Sequence, residues 1–228
     1  MNIRVIGVVL LVIVFALAMG IMSTSVSSGI PLNEAYSSGN VKVIQQTAAG
    51  AIPHQVEITN NENKQIKVKE GNSLASSVSE DLVIAEDKQI APNSTETVKA
   101  YGIEPSQRAV PGTKLLPTNN TYNAVNSIIS SSNAADSQSA YNAQLEIWTI
   151  MSGGNLNPYT GEPVAVVDTK QISWSQFRQD IANAKSSVMK TFNVNEGQIS
   201  TLNQNGATFS QGSIEKVLSW IKNSLGIS

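Results

Sequence analysis

The 228-residue sequence contains no cysteine and only one histidine, His54. Without cysteine the chain can form no disulfide, iron–sulfur cluster, zinc ribbon or cysteine nucleophile. One histidine cannot build a multi-histidine metal site, and we expect neither a metal nor a cofactor. The 15 Lys and Arg residues nearly balance the 17 Asp and Glu residues, and charged residues make up 14% of the chain. This balance lacks the basic surface that nucleic-acid binding requires.

The longest hydrophobic run lies near the N-terminus, where residues 5–22 come after Arg4 without a charge. This length is near the lower limit for a helix that spans a bilayer, and Arg4 favours export of the chain beyond the run. A cleaved signal peptide is the alternative, with small residues at 25–27. We therefore expect residues 1–27 to be a signal anchor or a signal peptide. The body of the protein is then extracellular, held at the cell membrane through this N-terminal transmembrane helix, or secreted.

The chain after residue 27 changes in composition and period. Residues 28–50 are rich in Ser, Gly, Ala and Asn, which predicts a tether with a strand at its end. Residues 51–120 show short stretches of alternating polarity between Asn, Gly and Pro turns, which predicts a β-rich region resembling a small antiparallel β-sandwich. Within it, we expect the alternating residues 55–59 and 64–69 to pair as a hairpin.

From residue 121 to residue 228 the hydrophobic period becomes helical, so this half is predicted to be α-rich and to pack on the β-rich region. The clearest helix begins after Ser173, which with Gln176 has the spacing of a capping box. We expect its apolar face to be buried; this face is the stripe formed by Trp174, Phe177, Ile181, Ala184, Val188 and Phe192. Further helices are predicted over 122–129, 141–151 and 214–225. The predicted fold class is therefore α+β, with an N-terminal membrane or signal helix preceding the β-sandwich region and the α-helical C-terminal half.

Residues capable of catalysis are few and have no recognisable partners. No nucleophile elbow and no phosphate-binding glycine loop of the common types is present. We interpret His54 as a surface histidine at the start of a strand. The acidic pairs 80–81 and 86–87 are interpreted as solvated strand ends, because adjacent residues of a strand point to opposite faces.

Two segments stand out from this background. Tyr101-Gly102-Ile103 places a glycine inside a strand pattern, and Ala143-Gln144-Leu145-Glu146-Ile147-Trp148 places a Gln and a Trp on one helical face. Together they resemble the thioester domains of bacterial surface adhesins. In that family an aromatic–Cys–aliphatic segment supplies a thiol, and a later Gln-x-x-aliphatic–aromatic segment supplies the side chain with which the thiol condenses.

The chain departs from that family at the reactive position, because Gly102 stands where the cysteine would be. A glycine has no sulfur, so no thioester can form and covalent capture of a host amine is impossible. The resemblance therefore implies a degenerate, non-covalent relative in which Gly102, Gln144 and Trp148 occupy the thioester-like positions.

The sequence as a whole favours a non-catalytic, adhesin-like binding domain of an exported cell-envelope protein, either membrane-tethered or secreted. Its expected partners are the membrane, through the N-terminal helix, and a cell-surface protein or glycan. The first alternative is a structural subunit of a surface assembly. The second is an extracellular hydrolase that uses carboxylates alone, drawn from Glu80, Asp81, Glu104 and Glu146.

Overall fold

Two β-sheets and a layer of helices make up the part of the chain that the computed structural model describes, residues 29–203. The strands are β1 (Ile30–Pro31), β2 (Val41–Gln45), β3 (His54–Asn60), β4 (Ile66–Val68), β5 (Ser73–Ala75), β6 (Leu82–Ile84), β7 (Lys88–Ile90), β8 (Ser94–Gly102) and β9 (Leu116–Thr118). The helices are α1 (Leu32–Ser37), α2 (Asn123–Ser131), α3 (Ser137–Met151), α4 (Gly161–Lys170) and α5 (Trp174–Phe192), followed by a 3₁₀ helix (Glu196–Thr201).

The larger sheet has six antiparallel strands in the order β2-β3-β8-β6-β5-β9, and the smaller has the order β1-β4-β7. In the smaller sheet β1 runs parallel to β4, whereas β4 and β7 are antiparallel. One face of the larger sheet packs on the smaller sheet, and a buried apolar core lies between them that includes Val56, Ile58, Ile66, Ile90 and Val98. Two sheets thus pack on one core, but the smaller sheet is mixed, whereas the sequence predicts a purely antiparallel sandwich.

The opposite face of the larger sheet is covered by helices, so the central strands are buried on both sides. Along β8, Val98 and Ala100 belong to the core between the sheets. Tyr101, which points the other way, belongs to a second core formed with α2 and α3. Because β8 is buried on both sides, its C-terminal end contacts α3. The candidate site lies at this junction.

Helix α5 forms where its sequence predicts, with one of the two hydrogen bonds of the predicted capping box; the Gln176 amide donates to Asp180. The Ser173 side chain accepts a hydrogen bond from the backbone N–H of Gln176, which satisfies one of the unpaired donors at the helix start. Phe177, Ala184 and Val188 of the predicted stripe are buried. The helices predicted over 122–129 and 141–151 are also confirmed, as α2 and α3. The helix predicted over 214–225 lies outside the described residues.

Helix α4 has no counterpart in the sequence prediction. It begins with Gly161-Glu162-Pro163, and proline is tolerated in a first helical turn because its missing N–H has no intrahelical acceptor there. Its buried residues include Val166 and Val167, which join a third core with α3 and α5.

The fold class is corrected with respect to the membrane helix. The described chain is α+β, with its longer helices in the C-terminal half, but within residues 29–203 no helix has the length and hydrophobicity needed to cross a bilayer. The hydrophobic run that predicted a transmembrane helix belongs to residues 1–27, which lie outside the described residues.

The predicted hairpin between 55–59 and 64–69 is wrong. Strand β3 pairs with β2 and β8 in the larger sheet, whereas β4 pairs with β1 and β7 in the smaller one. The chain therefore crosses from one sheet to the other at residues 61–65, and both apolar faces point into the same core. Buried Asn60 supports this crossing, because its amide donates to the backbone carbonyls of Lys64, Ile90 and Ala91.

The segment 28–50, for which the sequence predicts a tether, contains more regular structure than expected. Strand β1, helix α1 and strand β2 all lie within it. Leu32, Ala35, Val41 and Val43 are buried in the core between the sheets. Four apolar side chains spread over twelve residues give a weak periodic signal, although tertiary packing is sufficient to fix them.

Candidate functional site: a buried polar cluster beside an open cleft

The junction of β8 and α3 is formed by two reciprocal hydrogen bonds. The backbone N–H of Gly102 donates to Oε1 of Gln144 over 2.9 Å, and Nε2 of Gln144 donates to the Gly102 carbonyl over 2.7 Å. Gln144 is fully buried. The Gln144 amide thus bonds to both backbone groups of Gly102, as a neighbouring strand would. The two segments singled out in the sequence therefore lie side by side.

The space beside Gly102 is filled by the carboxyl group of Glu80. A Cβ atom built on Gly102 would overlap both carboxylate oxygens of Glu80, more closely than real Cβ atoms approach any neighbour. Oε1 of Glu80 accepts a hydrogen bond of 3.1 Å from the indole Nε1 of Trp148, one turn beyond Gln144 on α3. Gly102 and Trp148 therefore both lie against one buried carboxyl group, and Gln144 is joined to the same junction through its hydrogen bonds to Gly102.

His54 lies on the other side of Glu80. Its Nε2 is 3.4 Å from Oε2 of Glu80, an oxygen that has no hydrogen-bond partner among residues 29–203. Its Nδ1 lies 3.1 Å from the Thr47 hydroxyl and 3.3 Å from Nε2 of Gln45. Both neighbours can donate to Nδ1, which favours the neutral tautomer with its proton on Nε2, facing Glu80.

Glu162, in the first turn of α4, completes the cluster. Its Oε2 accepts from the backbone N–H of Gly50 over 2.7 Å, and its Oε1 accepts from that of Ala109 over 2.5 Å. One oxygen atom or ring nitrogen from each of His54, Glu80 and Glu162 can be chosen so that all three lie within 4.8 Å of one another. These are the described residues whose arrangement could hold a metal ion.

Burial governs the charges of this cluster. Desolvation lowers the pKa of His54 to about 4, so the imidazole is neutral at physiological pH. Burial, reinforced by the neighbouring Glu162 carboxylate, raises the pKa of Glu80 well above its usual value, against the opposing hydrogen bonds from the Trp148 side chain and the Glu104 backbone. Burial also raises the pKa of Glu162, while the N–H groups of Ala109 and Gly50 oppose the shift.

The structure corrects two interpretations of these residues. His54 does begin strand β3, but it is 1% exposed rather than a surface residue. Glu80 is fully buried rather than part of a solvated strand end. Sequence reasoning also missed Glu162, because nothing in a lone Glu before a proline reveals that two distant backbone N–H groups point at it.

An open cleft of about 550 Å³ lies next to this buried cluster. The chain segment directly after Gly102, residues 103–106, forms one wall, and residues 151–157 after α3 form another. Tyr122, Asp81 and Thr160 also line it. Polar and acidic side chains thus line the cleft together with one aromatic ring and several apolar side chains, a mixture suited to binding a small polar ligand or a loop.

The four carboxylates considered for hydrolysis are placed differently. Asp81 and Glu104 both line the cleft, and burial followed by the Glu104 charge raises the pKa of Asp81 against a hydrogen bond from Ser76. Glu80 is sealed in the interior, and Glu146 lies on α3, where it hydrogen-bonds to Ser187. Only Asp81 and Glu104 of this set share a surface that a substrate could reach.

The cluster lacks the thiol that a thioester requires, since position 102 has no side chain. A comparison of the chain with protein-family models, with curated proteins and with solved structures finds no match in any of the three.

Proposed function

We propose that this chain is a non-catalytic, adhesin-like binding domain of an exported cell-envelope protein, which holds a cell-surface protein or glycan in the cleft beside Gly102. The observation that supports the proposal most directly is the pair of hydrogen bonds between Gly102 and Gln144. The two segments that resemble the adhesin family lie in contact, at the positions where the family's thiol and its partner side chain would meet.

The filled space at Gly102 supports the non-covalent part of the proposal. In a reactive relative a side chain at this position must approach the Gln144 amide. Here the Glu80 carboxyl group occupies that volume, and the Gln144 amide is engaged with the Gly102 backbone. A domain that keeps the contact between Gly102 and Gln144 but lacks the thiol is suited to binding through its surface, without a covalent bond.

The cleft provides the surface for such binding. Tyr122 offers an aromatic ring, whereas Asn155 and Asn157 offer amides, and Asp81 and Glu104 offer carboxylates. The hydroxyl groups of a glycan or the polar groups of a protein loop can hydrogen-bond to these side chains, while an apolar face of the same ligand stacks on the Tyr122 ring.

A binding screen with a matched pair of variants tests the proposal. The full-length protein is captured on a sensor and exposed in turn to cell-wall glycans, host-matrix proteins and neighbouring envelope proteins. Asn155→Trp places a bulky side chain at the exposed edge of the cleft. Ser186→Trp makes the same change at an exposed position of α5 that does not line the cleft.

We expect at least one ligand class to bind the wild-type protein and the Ser186→Trp variant equally, and to lose binding to Asn155→Trp. Absence of binding across all three classes contradicts the proposal. Undiminished binding by Asn155→Trp contradicts its placement in the cleft.

A carboxylate-dependent hydrolase is the second candidate, and one observation favours it: Asp81 and Glu104 line the same cleft. Turnover of a bound glycan by the wild-type protein, lost in both Asp81→Asn and Glu104→Gln, is the result that would favour hydrolysis over binding alone. Release of ligand in unmodified form favours the binding domain.

A further inference from the structure

We propose that His54, Glu80 and Glu162 bind one divalent cation of the zinc type in the interior of the domain. This site is separate from the cleft and does not depend on the function proposed for it. Its ligands come from the first residue of β3, the loop before β6 and the first turn of α4. A cation bound there would join three segments that are distant in sequence.

The distances suit a tetrahedral ion. Zinc binds histidine nitrogen and carboxylate oxygen at about 2.1 Å, so two ligands at a tetrahedral angle lie about 3.4 Å apart. Nε2 of His54 and Oε2 of Glu80 are separated by 3.4 Å. One oxygen of Glu162 lies within 4.8 Å of a ring nitrogen of His54 and of a carboxylate oxygen of Glu80, so a movement of the Glu162 side chain would complete the set.

An unpartnered atom points into the site. Oε2 of Glu80 is buried, and no hydrogen bond within residues 29–203 satisfies it. Buried carboxylate oxygens in native proteins nearly always have a partner, and an ion is one of the recognised explanations for an exception. Two carboxyl groups enclosed beside one neutral imidazole can both be ionised only when a cation compensates their negative charge.

The surroundings of His54 fit a ligand histidine. An imidazole that binds metal through one nitrogen donates from the other to a neighbouring acceptor. With Nε2 on the cation, Nδ1 would carry the proton and donate to the Thr47 hydroxyl oxygen, 3.1 Å away. A half-turn of the neighbouring Gln45 amide would offer a further acceptor, because Oε1 of Gln45 is buried and has no hydrogen-bond partner in the described part of the chain.

Refolding with defined metal tests the site in the full-length protein. The protein is unfolded in denaturant with a chelator, freed of metal, and refolded with a small excess of Zn²⁺ or Co²⁺. After dialysis, bound metal is measured by mass spectrometry, and the Co²⁺ form is examined for the intense visible absorption of a tetrahedral site. Glu80→Gln removes one ligand with little change in shape. Asp168→Asn neutralises an exposed carboxylate on the same helix as Glu162 and serves as the control.

The expected result is one equivalent of Zn²⁺ retained by the wild-type protein and by Asp168→Asn, and background metal in Glu80→Gln. The tetrahedral Co²⁺ spectrum should likewise disappear in Glu80→Gln, while circular dichroism confirms that this variant is folded. If Glu80→Gln does not fold, His54→Gln replaces it in both measurements. A folded wild-type protein without bound metal overturns the proposal and leaves a proton as the occupant of the cluster. Equal metal in the wild-type and ligand variants overturns it as well.

Discussion

Gly102 and Gln144 each donate one hydrogen bond to the other, across 42 residues of chain, and both groups of Gly102 that take part are backbone. Any side chain at position 102 would overlap the Glu80 carboxyl group and push β8 away from α3. The pairing therefore requires glycine at this position. The identity of residue 102 and that of residue 80 are therefore coupled.

Gly102→Ala should destabilise the domain by about 3 kcal/mol, because the added methyl group would overlap the buried Glu80 carboxyl group and force it or β8 to move. Chemical denaturation measures the loss. Gly197→Ala is the control, since a Cβ there meets only Asn195 Oδ1 at 3.5 Å, and a change within about 0.5 kcal/mol is expected.

The coupling itself can be measured with the double variant Gly102→Ala, Glu80→Ala. Removing the carboxyl group opens the space that the methyl group needs, so the double variant should lose less stability than the sum of the two single variants. Strict additivity would show that the two positions are independent.

Gln144→Leu should cost about 2–4 kcal/mol in the free energy of unfolding, since it leaves the buried N–H and carbonyl of Gly102 without partners. Hydrogen exchange supplies a local measurement, because the Gly102 amide should lose its protection more than amides in the middle of β8. Gln138→Leu, at an exposed position of the same helix, should leave both the stability and the Gly102 amide unchanged. Unaltered protection of Gly102 in Gln144→Leu would contradict the role assigned to this side chain.

Regular periodicity accounts for the elements that the sequence predicted well. The stripe from Phe177 to Val188 repeats at helical spacing and needs no distant partner to be recognised, so α5 and its Ser173 cap could be predicted directly. The short strands β3 and β4 alternate equally clearly, but alternation says only which face is buried. It does not say which strand is the neighbour, and for this reason the predicted hairpin was wrong.

The candidate site was predicted only where a motif marked it. Gly102, Gln144 and Trp148 were named through a resemblance, and the structure places them together. His54 was assigned to the surface because it has no recognisable catalytic partners, and Glu80 because it forms an acidic pair with Asp81 next to a strand. Their burial depends on contacts with residues far away in the chain, which no local pattern contains.

The pH dependence of stability should reveal the buried Glu80. In metal-free protein, its pKa is raised above the usual value of 4.5 by burial and by Glu162. Above pH 4.5 Glu80 loses its proton in the unfolded chain but keeps it in the folded protein. The stability that Glu80 contributes therefore falls as the pH rises toward its folded-state pKa. Thermal unfolding in the presence of a chelator should therefore show a smaller decline for Glu80→Gln than for the wild-type protein over this range. Parallel curves for the two proteins would indicate that Glu80 ionises as an exposed glutamate does.

His54 should produce the opposite dependence at lower pH. Burial lowers its pKa from 6.5 to about 4, so between these values the unfolded chain binds a proton that the folded protein does not. Stability contributed by the neutral imidazole is complete above pH 6.5 and is lost as pH falls toward 4, by up to about 3 kcal/mol. His54→Gln places an amide that cannot titrate in the same cavity. The difference in unfolding free energy between wild type and this variant, measured without metal, should therefore change across this window and be constant above it. NMR titration of the imidazole provides the independent check, since a folded-state pKa near 6.5 would contradict a buried histidine that stays neutral throughout this window.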